Sequence, residues 1–219
     1  MPVVQLIRHG QASFGAADYD VLSDVGHQQS KLLADALLRR GVRPDRMVAG
    51  SLKRQRDTAT TCATTAAWEL PLEEDARLNE YDHVALLRQQ VTPPGFGPAT
   101  GRAVQETLDA GLLAWVRSGQ PGTDGRTFAQ WRDDAVAAQR DFVASLGPGT
   151  TGLMFTSGGV LAAICADLLG LDEHGFVAIN RVMVNTGITK IVSGRNGTSL
   201  ISFNDHSHLE GAADLLTYR

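Results

Sequence analysis

An Arg-His-Gly triplet directly follows the first apolar run of the chain, and it is the clearest candidate for chemistry. Residues 3–7 are typical of a buried strand, and Gly10 permits a sharp turn after Arg8 and His9. The pair is therefore expected at the carboxyl end of a strand, where open α/β sheets bind ligands. Arginine suits phosphate or carboxylate oxygens, and a neutral histidine suits nucleophilic attack or proton transfer. The alternative is a salt-bridged arginine beside a hydrogen-bonded histidine.

A second basic residue that could bind an anion lies near the start of a predicted helix. Residues 46–50 predict a short strand, and residues 53–68 predict the helix that follows it. Free N–H groups at a helix start favour an anion, and a cation in the first turn is disfavoured unless an anion is bound. We therefore assign Arg54 to anion binding, and Lys53 and Arg56 to a solvent-exposed helix face.

A pair of carboxylates follows the second predicted helix. Glu80 and Asp82 lie in a short polar segment after Leu78. Either carboxylate could act as a general acid, and the alternative for both is a salt bridge at the edge of a loop.

A Ser-Gly-Gly turn separates another buried strand, residues 152–156, from a helix over residues 158–169. Gly158 and Gly159 permit the backbone to approach an anion closely, and the alternative is a tight turn that only glycine fits. The spacing differs from the Gly-x-Ser-x-Gly nucleophile turn of many hydrolases, so Ser157 is not predicted to be a nucleophile.

Apolar strands and helical patterns alternate along most of the chain, which predicts an α/β protein. The predicted strands are residues 3–7, 46–50, 152–156, 184–192 and 198–203, and the predicted helices are residues 23–41 (capped by Ser23), 53–68, 104–117, 128–146 and 158–169. We expect a three-layer sandwich with a mostly parallel central sheet and helices on both faces.

One stretch interrupts this alternation. Residues 92–101 and 118–125 are rich in glycine and proline, and helical patterns lie between and after them. We interpret residues 81–141 as a helical and loop insertion over the active site of a single domain spanning residues 1–219. Such an insertion can cover a pocket and select its ligand.

Composition excludes several classes of partner. The net charge of −4 gives no electrostatic case for nucleic acid binding, and no apolar run approaches the length of a membrane span. The N-terminus lacks the pattern of a signal peptide. Cys62 and Cys165 lie in apolar helical segments without metal-ligand spacing. We expect buried free thiols, a cytoplasmic location and no metal.

The chain resembles the histidine phosphatase superfamily, also called the phosphoglycerate mutase-like family. Four segments carry the resemblance: the Arg-His-Gly triplet, the helix start at Arg54, the polar segment with Glu80 and the Ser-Gly-Gly turn. The similarity extends over most of the chain and is strongest at residues 6–12, 22–37, 51–59, 78–80 and 156–161. Four motifs in the family's order make a chance match improbable. The similarity is weakest over the predicted insertion.

The resemblance implies a role for each matching residue. His9 would attack phosphorus and become a phosphohistidine, while Arg8 and Arg54 would hold the phosphoryl oxygens. Glu80 matches the family's proton donor to the leaving oxygen, and Gln11 lies where it could contact phosphate. Water would then hydrolyse the phosphohistidine. The family needs no metal or other cofactor, and its implied partner here is a small phosphorylated substrate.

Ser157 departs from the family pattern, which usually has a second histidine at this position. A serine hydroxyl, beside Gly158, donates one hydrogen bond to phosphate but has no positive charge. Loss of a charge-assisted contact costs about 1–3 kcal/mol, which would slow the enzyme about tenfold to a hundredfold. His83 and His206 are candidates to compensate. If space exists for the ring, Ser157→His is expected to raise the rate.

Gln11 and Ala12 stand where the mutase branch of the family has a Glu-Ser pair, which favours the phosphatase branch. The leading hypothesis is a metal-independent phosphomonoesterase. A catalytically weak or inactive phosphate-binding relative is the second hypothesis, and a phosphoglycerate mutase is the third. The physiological substrate is not specified by the sequence, and both a monomer and a homodimer remain open.

Overall fold

A six-stranded sheet forms the centre of the computed structural model, which describes residues 1–13, 20–82 and 101–218. Its strands are β1 (Val3–Arg8), β2 (Arg46–Ala49), β3 (Leu72–Glu74), β4 (Thr151–Thr156), β5 (Ile188–Gly194) and β6 (Gly197–Asp205). They lie in the order β3-β2-β4-β1-β5-β6. The first four pair in parallel, and β5 and β6 add two antiparallel pairings at one side. The predicted mostly parallel sheet is confirmed.

Helices cover both faces of this sheet. They are α1 (Asp24–Arg39), α2 (Lys53–Ala66), α3 (Gly101–Ser118), α4 (Phe128–Ala144), α5 (Gly158–Leu169) and α6 (Glu173–Val182). Helices α1 and α2 pack on one face, and α3 to α6 contribute to the apolar core on the other. The α/β three-layer sandwich expected from the sequence is therefore confirmed.

The period-two alternation of the central strands divides the core between the two faces. Val4 and Leu6 of β1 belong to the larger cluster, with Trp131 of α4. Ile7 belongs to the smaller one, with Leu33 of α1. Because β1 is covered on both sides, the residues that follow it start from a rigid and buried position.

The two helices predicted within residues 81–141 are present as α3 and α4. Helix α4 packs its buried face, including Trp131 and Ala135, into the larger core cluster. Its start is capped by Thr127, whose Oγ1 accepts a hydrogen bond from the N–H of Gln130. His83 and most of the Gly/Pro-rich stretch, residues 92–100, lie outside the described residues. The role of the insertion as a cover for the site stays a prediction.

The strand predicted over residues 184–192 begins later than expected. β5 starts at Ile188 rather than at residue 184 because residues 184–187 form a turn, in which Thr186 has a φ of +59°. The side-chain Oδ1 of Asn204 accepts a hydrogen bond from the N–H of Val184 and holds this turn against β6.

Helix α6 and strand β3 were not expected from the sequence. Asp172 caps α6 through a hydrogen bond from the N–H of Gly175, and Phe176 and Val177 bury its apolar face. The helix is short and contains β-branched residues, so its packing outweighs its propensity. None of the helices in the described ranges is long and apolar enough to span a membrane.

Candidate active site

The loop after β1 lies in close contact with the start of α1. A Cβ added at Gly10 would lie 2.6 Å from the carbonyl oxygen of Gly26, and a Cβ at Gly26 would collide with the carbonyl oxygen of Gln11. Only two glycines allow the two backbones to approach this closely. The N-cap serine of α1, Ser23, also donates a hydrogen bond to the side chain of Gln11 at 2.8 Å. The turn after β1 is therefore held in place by its contacts with the start of α1.

The backbone of His9 is held on both sides at the carboxyl end of β1. Its N–H donates to the carbonyl oxygen of Thr156 at 2.8 Å, and its carbonyl oxygen accepts from the side-chain amide of Asn185 at 3.0 Å. The next N–H, that of Gly10, donates to Oγ1 of Thr58 on α2. His9 is only 5% exposed. Strand β4, the turn at residues 184–187 and helix α2 thus fix the backbone that carries the His9 ring.

The hydrogen bonds of the His9 ring define its tautomer. The Nε–H group of Arg54 can only donate, and it lies 3.1 Å from His9 Nε2. Nε2 must therefore accept, which leaves the ring proton on Nδ1. Nδ1 lies 2.7 Å from the carbonyl oxygen of Gly10 and donates to it. The ring is neutral and directs the lone pair of Nε2 at the edge of a guanidinium group.

Arg54 is buried at the start of α2 and forms an ion pair with Asp20. Its Nη1 lies 2.7 Å from Oδ1 of Asp20, while Oδ2 of the same carboxylate accepts from the backbone N–H of Lys53 at 2.8 Å. A guanidinium and a free helix N–H thus bind one carboxylate together, which is the arrangement that we expected around an anion. Nothing in the sequence indicated that Asp20 would pair with Arg54.

Arg8 lies beside the glycine pair at the start of α5. Its Nη1 donates to the carbonyl oxygens of Met183 and Tyr218, the second at 2.9 Å. A Cβ added at Gly158 would lie 3.3 Å from Arg8 Nε. Gly158 therefore lets the guanidinium lie against the helix start, although neither residue is shown to contact phosphate.

The carboxyl group of Glu80 is bound by the start of α5. Its Oε2 accepts a hydrogen bond from the N–H of Gly159 at 2.9 Å. Desolvation raises the pKa of Glu80 above its usual value, against the smaller lowering effect of that hydrogen bond. Arg54 and Arg8 also lower this pKa, so their charges lie near the carboxyl group. A carboxyl group whose pKa is raised although two cations lie near it suits a general acid.

Ser157 is fully buried, and its Oγ accepts a hydrogen bond from the side-chain amide of Gln55 at 2.8 Å. It is the N-cap residue of α5 but makes no side-chain cap bond. Its direct contact with phosphate stays a prediction, because the structure describes only the bond to Gln55.

Three further candidates from the sequence are Gln11, His206 and His83. Gln11 follows Gly10, and its Oε1 is engaged by the hydroxyl of Ser23. His206 lies after β6, two strands from β1 in the sheet, and its Nδ1 donates to the carbonyl oxygen of Asn204. Compensation by His206 stays a prediction, and His83 lies outside the described residues.

Sequence reasoning missed three residues that hold the site together: Asp20, Gln55 and Asn185. For Gln55 a signal was present, because it falls on the stripe of α2 that also contains Ala59 and Cys62 and is buried. A glutamine on an apolar stripe must satisfy its amide inside the protein. No such local pattern marked Asp20 or Asn185, whose partners are distant in sequence.

Within the described ranges, no cluster of three or more His, Cys, Asp or Glu residues could hold a metal ion. The guanidinium groups of Arg54 and Arg8 lie in the site together with the carboxyl groups of Asp20 and Glu80. Guanidinium groups suit an anionic ligand.

Comparison with known families agrees with this geometry. The profile of the histidine phosphatase superfamily (branch 1) matches residues 4–206. The chain therefore belongs to the histidine phosphatase superfamily, and its class of enzyme is a phosphatase. A comparison with curated proteins gives no match.

Solved structures of similar fold come from several organisms. A mycobacterial glucosyl-3-phosphoglycerate phosphatase is 21% identical, covers 92% of this chain and 98% of its own, and has a TM-score of 0.65. A phosphoserine phosphatase mutant from Entamoeba histolytica, in complex with phosphoserine, is 19% identical, covers 95% of this chain and 100% of its own, and has a TM-score of 0.68. YhfR of Bacillus stearothermophilus is 18% identical, covers 96% of this chain and 100% of its own, and has a TM-score of 0.71. At these identities the likeness establishes the fold.

The contact between Gly159 and Glu80 predicts a strong effect of one methyl group. A Cβ at Gly159 would collide with Glu80 Oε1 and with the ring of Tyr81. A Cβ at Gly158 meets no atom closer than Arg8 Nε, at 3.3 Å, and Met183 Cβ lies 3.5 Å away. Gly159→Ala is expected to lower kcat/KM at least about tenfold by displacing the acid, and Gly158→Ala less. Steady-state kinetics of both variants tests this, and equal effects would contradict it.

The burial of Ser157 changes the expectation for Ser157→His. A ring directed along the Ser157 Oγ bond meets the amide of Gln55, so the substitution is expected to destabilise the fold by about 1–3 kcal/mol. Adding Gln55→Ala to the same protein should recover part of that loss. Urea unfolding of the single and double variants measures both effects. Unchanged stability with faster turnover would show that the site has room for the ring.

Proposed function

We propose that this chain is a metal-independent phosphomonoesterase that works through a phosphohistidine at His9. The observation that carries the proposal is the fixed ring of His9, whose Nε2 lone pair is directed at Arg54 while Nδ1 donates to Gly10. Membership of the histidine phosphatase superfamily supports the same chemistry. The nucleophile and the positive charge that would hold the phosphoryl group are neighbours.

In the first step, the Arg54 N–H moves its hydrogen bond from His9 Nε2 to a phosphoryl oxygen, which frees the lone pair of Nε2. Nε2 then attacks phosphorus, so that an N–P bond forms and the bond to the ester oxygen breaks. Glu80 gives its proton to the departing oxygen and becomes a carboxylate. Arg54 and Arg8 bind the phosphoryl oxygens and stabilise the charge that they carry in the transition state. The Nδ1–H bond to the Gly10 carbonyl stabilises the positive ring that results.

In the second step, water attacks the phosphohistidine. The carboxylate of Glu80 takes a proton from that water, the N–P bond breaks, and inorganic phosphate leaves. Glu80 is again protonated and His9 again neutral, so both groups return to their starting states. A mutase would instead have to protect the phosphohistidine from water and return the group to a bound product.

The substrate class that we propose is a small phosphorylated metabolite. Two proteins of similar fold are phosphatases with names that refer to such compounds, glucosyl-3-phosphoglycerate and phosphoserine. In this chain, Gln11, Ser157 and Gly158 stay candidates for additional phosphate contacts. The residues that select the leaving group are proposed to lie within residues 81–141.

A cytoplasmic location is proposed from the two cysteines. Cys62 and Cys165 are free and buried, and burial raises the pKa of each thiol to about 12. Thiols held protonated in a core are unreactive, and their free state agrees with a reducing compartment.

Loss of the nucleophile is expected to abolish turnover. We expect the wild type to release phosphate from an aryl phosphate in excess chelator. His9→Ala should lower kcat more than about a thousandfold, and Arg54→Ala about a hundredfold. A phosphate-release assay measures all three proteins, and intact-mass spectrometry at alkaline pH detects the phosphohistidine. Turnover by His9→Ala would rule out this route. Binding of phosphate without turnover by the wild type would favour the inactive relative.

The raised pKa of Glu80 predicts a linked effect on activity and stability. Because the folded protein holds this proton to a higher pH than the unfolded chain, its ionisation costs stability as pH rises above the usual pKa of a glutamate. Glu80→Gln should therefore be more stable than the wild type near neutral pH, with the difference shrinking towards acidic pH. Its kcat/KM for an alkyl phosphate should fall about a hundredfold.

Urea unfolding from about pH 4, close to the usual pKa of a glutamate, to about pH 8 measures the difference in stability. Kinetics of the same proteins measure the loss of activity. Asp82→Asn is the comparison, since Asp82 is the other carboxylate of the segment. If Asp82→Asn rather than Glu80→Gln lost activity, the acid would be Asp82.

A further inference from the structure

Gln55 is a fully buried amide that binds two distant segments of the chain and the N-cap of its own helix. Its Nε2 donates to the carbonyl oxygen of Leu78 at 2.9 Å and to Oγ of Ser157 at 2.8 Å. Its Oε1 accepts from the N–H of Leu52 at 3.3 Å. Both amide hydrogens are thus used, and a flipped amide would set Oε1 against the Leu78 carbonyl. The orientation of the amide is fixed by its partners.

The two distant segments that Gln55 joins are the one that contains Glu80 and the one whose backbone binds the Glu80 carboxyl group. Glu80 is two residues beyond Leu78, and the N–H that binds Glu80 belongs to Gly159, two residues beyond Ser157. The contacts close a ring, from Gln55 through Leu78 to Glu80, and back through Gly159 and Ser157. The carboxyl group of Glu80 therefore lies opposite the amide in one small cycle of hydrogen bonds and peptide units.

The chain makes room for this amide at a specific glycine. A Cβ at Gly50 would collide with Oε1 of Gln55 and would lie 2.7 Å from Oδ1 of Asn79. Gly50 directly follows β2, and its lack of a side chain lets the amide approach the 78–80 segment. The location of Gln55 next to Arg54 also ties this cycle to the start of α2.

We propose that Gln55 is a positioning residue, which holds the carboxyl group of Glu80 at the leaving oxygen of the substrate through Leu78 and Ser157. The proposal rests on the function proposed above, in which Glu80 is the general acid. Ser157 must accept the Gln55 hydrogen bond, so its own hydroxyl hydrogen is left to donate elsewhere. Gln55 makes no contact with the reacting atoms in this role.

Misplacement of the general acid should slow substrates with a poor leaving group selectively, whereas a general loss of structure should slow all substrates alike. Departure of an alkoxide needs the proton, whereas departure of p-nitrophenolate hardly does. Gln55→Met keeps the length of the side chain and removes the amide. Its kcat/KM should fall about tenfold or more for a primary alkyl phosphate and less than about twofold for p-nitrophenyl phosphate. kcat/KM reports the step that forms the phosphohistidine, so slow hydrolysis of that intermediate does not mask the effect.

A matched control is Gln139→Met. Gln139 is also a buried glutamine, on α4, and its Nε2 has no hydrogen-bond partner in the part of the chain that the structure describes. This variant should leave kcat/KM for both substrates unchanged. Thermal unfolding of both variants shows how much stability each substitution removes.

Ser157→Ala tests the same cycle with a smaller change, and it keeps the test usable if Gln55→Met does not fold. It should lower kcat/KM for the alkyl phosphate more than for p-nitrophenyl phosphate. In the double variant the two effects should not multiply, because either substitution breaks the same connection. Multiplying effects would show that Gln55 does not act through Ser157.

The outcomes separate this proposal from the proposed function. If His9→Ala retains turnover, the phosphohistidine route fails. If His9→Ala is inactive and Gln55→Met slows both substrates equally, only the positioning role of Gln55 is overturned. A selective loss with the alkyl phosphate supports both.

Discussion

The neutral ring of His9 is held at both nitrogen atoms, and the rest of the site is arranged around that constraint. Nδ1 donates to the next carbonyl oxygen in the chain, while Nε2 accepts from Arg54. The first bond needs the turn after β1 to be tight, which Gly10 and Gly26 make possible. The second needs the first turn of α2 to face β1. Two features of the backbone thus decide which nitrogen can act as a nucleophile.

The start of each site helix binds a carboxylate of the chain itself. The N–H of Lys53 at α2 binds Asp20, and the N–H of Gly159 at α5 binds Glu80. Exposed N–H groups in the first helical turn attract negative charge, so both contacts follow from helix geometry. The environments differ in consequence, because burial raises the pKa of Glu80, while Asp20 forms an ion pair with Arg54. Similar helix ends therefore hold the carboxyl group that we propose as proton donor and the counter-ion of Arg54.

Sequence reasoning located the parts of the site that follow directly from local pattern. Residues at the ends of β1, β4 and the start of α2 were placed correctly because apolar runs and glycines mark those ends within a few residues. The turn at residues 184–187 was missed because it depends on Asn204, a partner on another strand. Helix α6 was missed because its burial, rather than its composition, stabilises it.

The cycle through Gln55 shows the same limit at the level of the site. The position of Gln55 on the buried stripe of α2 was readable, but its partners Leu78 and Ser157 become neighbours only in the folded chain. Ser157, which the sequence predicts in the binding pocket, accepts a hydrogen bond from a buried amide. Whether a polar residue faces a ligand or another side chain is decided by tertiary contacts.

The ion pair between Asp20 and Arg54 gives this protein an internal counter-anion. A phosphoryl group that binds Arg54 and the Lys53 N–H must take over donors that the carboxylate now holds. Binding is therefore an anion exchange, and its free energy is the difference between two ion pairs. Such an exchange discriminates by valence, since a doubly charged phosphate monoester gains more from the guanidinium than a singly charged carboxylate or diester does.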